Sequence, residues 1–189
     1  MKWHSIHITI AASLLITLPW QVNSAHCDEK SWNRVLKLQH DLEQVYNHHA
    51  TRFNEFLQIH QAQPFLYQQF TQDELQALWQ SRNNRFQEQI QSQADASQEV
   101  VKRIKEERVL LEPMLAKAET QQSHWLDLSK HCQRTGNQTN VIASTNYSQL
   151  NRALKADIEA LLNKLKVLES RYERERLAIE SAKPNQASP

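Results

Sequence analysis

The chain has 189 residues, of which 40% are hydrophobic and 23% charged, with a formal net charge of +1 and a single glycine, Gly136. Phosphate-binding loops need glycine where the backbone approaches a phosphate, and tight β-hairpins need it where φ is positive. One glycine serves neither purpose, so Rossmann, P-loop and most all-β folds are close to excluded. The composition favours an all-α protein.

Residues 1–25 have the pattern of a cleaved signal peptide. Lys2 is their only formally charged side chain, and a largely apolar stretch over 6–20 precedes small and polar residues at 22–25. The stretch is shorter than the roughly 20 apolar residues that a membrane-spanning helix needs. We expect a periplasmic or secreted protein with no stable membrane insertion after cleavage. An uncleaved membrane anchor is the alternative.

Removal of the leader would leave a neutral chain, because only Lys2 is lost and 21 basic residues then balance 21 acidic ones. The sequence has no long block of one charge sign. Nucleic acids and strongly anionic membranes select basic patches. We therefore expect no nucleic-acid ligand and predict that any partner is a protein.

Apolar residues recur at alternating steps of three and four in three segments, a spacing typical of helices that bury one face. The first stripe includes Val35, Leu38, Leu42, Val45, His49, Phe56 and Ile59. The second segment, 71–132, opens with Thr71 and Glu74, which have the spacing of a capping box. The third begins at Asn146, is the most regular, and stops before Pro184.

These segments predict an elongated antiparallel three-helix bundle or coiled coil over residues 26–183, followed by a disordered tail at 184–189. A polar turn is expected at 133–145, and Pro113 should kink the long middle helix, because proline removes one helical hydrogen bond. The alternative is a compact four-helix bundle in which the second segment breaks at 93–97 or at Pro113. Dimerisation through the same stripes is also open.

Cys27 and Cys132 are the only cysteines, and an even pair in an exported protein predicts a disulfide. A simple hairpin turning near Gln69 would place Cys27 opposite residue 111, about 30 Å from Cys132 at the helical rise. An intrachain bond therefore requires a bent second segment or an offset bundle. A bond between two chains, or two free thiols, is the alternative.

No motif for catalysis or for a cofactor is present. The sequence lacks a metalloprotease histidine pair, a nucleophile elbow and a phosphate loop. Each cysteine follows a histidine, but the ligands of zinc sites are separated by two to four residues. We expect no enzyme activity, no cofactor and no metal site.

The segment 61–93 is rich in glutamine and contains five aromatic residues that could contact a partner: Phe65, Tyr67, Phe70, Trp79 and Phe86. Aromatic side chains are favoured anchors at protein interfaces. The alternative is that they form the small core of a helix-turn-helix tip. The sequence predicts an exported, non-enzymatic helical adaptor of an envelope or secretion assembly, and a periplasmic holdase chaperone is the second interpretation.

Overall fold

The computed structural model describes residues 27–82 and 84–184. Within these ranges the chain forms no strand and five helices: α1 Glu29–His60, α2 Leu66–Gln69, α3 Gln72–Gln80, α4 Asn84–Arg134 and α5 Gln138–Ala182. The predicted all-α class is confirmed. The predicted signal peptide and, apart from Pro184, the predicted tail lie outside the described residues.

Helices α4 and α5 form a long antiparallel hairpin. Ser129 contacts Thr145 close to the turn, and Lys183 donates to Gln91 at the far end. The sequence separation of the paired residues grows from 16 to 92 between these two contacts. Since α4 has 51 residues and α5 has 45, the hairpin extends over about 70 Å at ~1.5 Å per residue.

Gly136 ends α4 with a left-handed residue, at φ 73°. The N–H of Asn137 donates to the carbonyl of Cys132 at 2.9 Å, and that of Gly136 donates to Gln133 at 3.2 Å. This pair of bonds is a Schellman motif, which satisfies carbonyls that the helix end would leave open. The side chain of Asn137 then accepts from the N–H of Asn140 at 3.1 Å and starts α5.

The prediction of a polar turn over 133–145 was therefore wrong, because α5 begins at Gln138. Its first four turns bury small polar side chains against the other helices: Asn140, Ser144, Ser148 and Asn151. The Ser144 hydroxyl donates to the Asn140 carbonyl at 2.6 Å, so its polar group is satisfied inside the helix.

Helix α1 packs on the hairpin, parallel to α5 and antiparallel to α4. The pairs Gln39–Asn151 and His60–Tyr172 are both hydrogen-bonded, and each joins residues 112 positions apart. A constant separation requires two parallel helices in fixed register. The helix begins at an N-cap, where the carboxylate of Asp28 accepts from the N–H of Ser31 at 3.2 Å.

After α1 the chain continues along α5 instead of turning back at once. The N–H of Leu66 donates to Glu175, and the amide of Gln72 donates to the hydroxyl of Ser181. Helices α2 and α3 therefore cover the part of the hairpin that α1 does not reach. The bundle has a connection of two short helices where the sequence predicted a simple reversal.

The predicted capping box is confirmed at the start of α3, where Thr71 and Glu74 exchange side-chain and backbone hydrogen bonds. The helix that it opens is short, however. It ends at Gln80, and α4 begins afresh at Asn84. The break thus lies between Gln80 and Asn84 and not at 93–97.

Helix α4 is continuous through Pro113, so neither break considered for a four-helix bundle occurs. Both Pro113 and Val109, whose carbonyl would accept a bond from residue 113 in an ordinary helix, are exposed. Water can replace the missing bond on this face. The kink at Pro113 stays a prediction.

Cys27 and Cys132 form an intrachain disulfide, with their Cα atoms 5.2 Å apart. The offset that the sequence required comes from the connection: α1 faces the C-terminal part of α4, as the contact of Val35 with Gln121 illustrates. The residues between His60 and Asn84 take up the remaining length. The N-terminus of α1 is thereby fastened to the turn end of the hairpin.

Candidate functional site

The five aromatic residues suggested as partner contacts divide into two groups. Phe65 and Trp79 are buried, with 5% and 7% of their surface exposed. The Phe65 ring lies 5.0 Å from that of Tyr172, and the Trp79 indole donates to the carbonyl of Ile179 at 3.1 Å. These two residues belong to the core, as the alternative interpretation of the segment 61–93 predicted, and they cannot reach a partner.

The other three aromatic residues are accessible. Tyr67 and Phe70 are half-buried, whereas Phe86, at the start of α4, is 47% exposed. Arg174 on α5 lies over the Tyr67 ring, with its guanidinium carbon 5.4 Å from the ring centre. The aromatic surface is therefore smaller than the sequence predicted, and Tyr67 shares it with a cation.

A buried carboxylate that sequence reasoning missed fixes this end of the molecule. Glu175 accepts hydrogen bonds from the backbone N–H groups of Leu66 at 2.7 Å and Tyr67 at 3.0 Å, and from the amide of Gln93 at 3.2 Å. The side chain itself is completely buried. A buried carboxylate is tolerated when such donors surround it, so Glu175 is a structural residue that joins α2 and α4 to α5.

His60 and Tyr172 pack beside this carboxylate and hydrogen-bond to each other. Burial and the nearby charge of Glu175 raise the pKa of Tyr172 to about 12. Burial lowers the pKa of His60. Both shifts favour neutral side chains at physiological pH, which suits a packed interface between α1 and α5.

At the opposite end of the bundle, aromatic rings from α1, α4 and α5 pack against one another. Trp32 meets Trp125 edge-on with ring centres 5.1 Å apart, and Trp125 stacks on Tyr147 at 4.3 Å. The Trp125 indole also donates to Gln39 at 3.2 Å. Together with the disulfide, these contacts make this end a rigid structural cap.

An apolar groove remains open between α1 and α4, with a volume of about 470 Å³. Its floor contains Leu42 and Met114, and its α1 edge is formed by Leu38 and Val45. The sequence placed both edge residues on the buried stripe. This was wrong, because they are 44% and 47% exposed: α1 has only α4 and α5 as long neighbours, so one side of its stripe is left uncovered.

His49 lies four residues after Val45 on α1 and contacts α4. Its Nδ1 lies 2.6 Å from a carboxylate oxygen of Glu107 on α4, and Arg52 is 3.3 Å from the other oxygen. His49 is buried. The three side chains therefore hold α1 at a fixed distance from α4, which keeps the groove preformed.

Reactive groups are not clustered in the parts of the chain that the structure describes. These parts contain no set of three or more His, Cys, Asp or Glu side chains placed to hold a metal ion. Both sulfurs are in the disulfide, and the Nε2–H of His131 donates to the Cys27 carbonyl at 3.3 Å. The apolar groove between α1 and α4 is a candidate binding surface.

No helix in the described ranges is both long and apolar enough to cross a bilayer. No protein-family model, no curated protein and no solved structure matches the chain.

Proposed function

We propose that the protein is an exported, non-enzymatic helical adaptor that binds another protein of an envelope or secretion assembly. The observation that carries this proposal is the row of apolar side chains left exposed along the α1–α4 groove. Leu38 and Val45 lie seven residues apart on one face of α1, and a preformed apolar groove is how one helix receives another.

A rigid framework supports this role. The disulfide fixes the start of α1, and the contact of His49 with Glu107 fixes its middle. A surface that keeps its shape before binding loses less conformational entropy when a partner docks.

Export is proposed on the basis of residues 1–25, which read as a signal peptide, and a disulfide is compatible with an oxidising compartment. Mass spectrometry of the protein purified from its native cells tests this directly. The expected N-terminus is Ala25 or His26. A mature chain that retains Lys2 would refute cleavage.

Site-specific photocrosslinking in living cells tests the adaptor function. A crosslinking amino acid placed at Val45 should give one dominant, stoichiometric product. The matched control is Leu150 on α5, which is equally exposed at 53% but lies outside the groove, and it should not give this product.

The other outcomes of the same experiment are informative. A broad set of unrelated products at Val45, together with suppression of aggregation of unrelated proteins by the purified chain, would favour a holdase chaperone instead. Absence of any product that depends on Val45, or hydrolysis of a cell-wall substrate by the purified chain, would refute the adaptor proposal.

A further inference from the structure

A second exposed surface runs along the outer face of α5, and we call it the α5 strip. It consists of Asn163, Lys166, Val167, Ser170, Arg171, Arg174 and Leu177, all of which are exposed. Two shallow grooves lie along it and share Lys166, Ser170 and Arg174. Tyr67 and Gln68 of α2 form one wall. The strip shares no residue with the lining of the α1–α4 groove.

The strip carries positive charge that its surroundings do not neutralise. Among the ion pairs of the described residues, none includes Lys166, Arg171 or Arg174. The nearest carboxylates along α5 have other partners. Glu169 pairs with Arg108 of α4 at 2.7 Å, and Glu173 pairs with Arg176 at 2.8 Å. Lys166, Arg171 and Arg174 therefore face solvent within about 12 Å along the axis of α5, at ~1.5 Å per residue.

One of these cations is held in place before any ligand arrives. Arg174 lies over the ring of Tyr67, and the backbone of Tyr67 is anchored by the buried Glu175 at 3.0 Å. A cation–π contact restricts a guanidinium without using its hydrogen-bond donors. The donors of Arg174 stay available for a carboxylate.

Two exposed apolar residues lie among the cations of the α5 strip. Val167 and Leu177 are 49% and 50% exposed, and they lie ten residues apart, about 15 Å along α5 at ~1.5 Å per residue. Apolar anchors flanked by charge are typical of a surface that receives an amphipathic helix. A nucleic acid would not use these anchors, and an anionic bilayer would select a larger basic area.

We propose that the α5 strip binds an acidic amphipathic helix of a partner protein, in which carboxylates meet Lys166, Arg171 and Arg174 while apolar side chains cover Val167 and Leu177. The acidic helix would bind at a surface separate from the α1–α4 groove. The two proposals can therefore fail independently.

The test uses the whole disulfide-bonded chain and a fluorescent 20-residue helical peptide with glutamate along one edge and leucine along the other. A second peptide has glutamine in place of every glutamate. Fluorescence anisotropy should give at least tenfold tighter binding of the glutamate peptide, and this preference should shrink as salt rises. Equal affinity for the two peptides would overturn the proposal without any protein variant.

Protein variants locate the binding. The triple variant K166E/R171E/R174E should lose at least tenfold in affinity for the glutamate peptide. The control K30E/R34E/R134E makes the same change in net charge at exposed residues of the disulfide end and should bind normally. Equal losses in both variants would mean non-specific attraction and would overturn the proposal. Circular dichroism checks that both variants fold.

Two further probes distinguish other anions. Heparin and vesicles of phosphatidylglycerol should bind the chain more weakly than the glutamate peptide and should not respond to V167S/L177S. The same double variant should weaken the glutamate peptide at least threefold. Tighter binding of heparin or vesicles, lost in K166E/R171E/R174E, would assign the strip to a polyanion or a membrane and refute the protein partner.

Discussion

The carboxylate of Glu175 accepts a hydrogen bond from the backbone N–H of Leu66 at 2.7 Å, across 109 residues of sequence. The contact satisfies a donor at the first turn of α2 and ties the connection to the far end of α5. Helix α2 has only four residues and would not form alone. Its existence therefore depends on a residue near the other end of the chain.

Substitution of Glu175 by alanine should lower the free energy of unfolding by about 3 kcal/mol, because it leaves the two buried N–H groups without an acceptor. Urea unfolding measures this loss. Glu175→Gln retains one acceptor and should lose less. Glu180→Ala removes an exposed acid from the same helix and should cost under about 1 kcal/mol. A Glu175→Ala protein as stable as the wild type would show that this carboxylate does not hold the connection.

Removal of the disulfide in C27S/C132S should lower the free energy of unfolding by about 4 kcal/mol. The bond closes a loop with a sequence separation of 105 residues, and crosslinking a loop of this size strongly restricts the unfolded chain. Urea unfolding of the double variant gives the value, and wild-type protein in reductant is the control. Equal midpoints with and without reductant would contradict an intrachain bond.

The ionisation of Tyr172 should make stability fall at high pH. Its pKa is raised to about 12 in the folded state from 10.0, and the phenol is neutral when protonated. Its contribution is therefore complete below about pH 10 and is lost as pH rises from about 10 to about 12. The shift corresponds to roughly 2 to 3 kcal/mol. Denaturant titrations at several pH values should show this loss in the wild type and a smaller one in Tyr172→Phe. Parallel curves for the two proteins would refute the assignment.

Gly136→Ala should destabilise the protein by about 1 to 2 kcal/mol. The cause is conformational, since a Cβ at Gly136 would meet no atom within 4 Å but the residue has a φ of +73°. Gly136→Asn is the control and should lose less, because asparagine tolerates the left-handed region better. Thermal unfolding followed by circular dichroism measures both. An alanine variant as stable as the wild type would exclude the Schellman turn.

The helical class and much of the core could be predicted, because burial of one face imposes a regular spacing. In α5 the residues that recur at steps of three and four are buried from Leu154 through Ile158 to Tyr172. The capping box at Thr71 is also local, since both partners lie within one turn. Patterns that span only one or a few helical turns can be recognised from neighbouring residues alone.

The wrong predictions and the contacts that were not predicted have a different physical origin. Asn140 and Ser144 look like loop residues, but their burial depends on α1 and α4 packing closely against α5. Leu38 and Val45 look like core residues, but whether a third neighbour covers them is decided by the whole bundle. The contact of Glu175 with Leu66 joins distant residues and has no local pattern. The break between Gln80 and Asn84 had only a serine and two asparagines in the sequence as a signal.

The disulfide has a topological consequence for how the molecule yields to mechanical force. The covalent loop from Cys27 to Cys132 encloses α1, α2, α3 and nearly all of α4, whereas α5 lies entirely outside it. Tension applied between Cys27 and Ala182 therefore passes through the sulfur bridge and along α5, so that α5 can be unfolded while the helices inside the loop are not stretched. Of the three long helices, α5 is the one that mechanical force could unfold while the disulfide keeps α1 linked to α4.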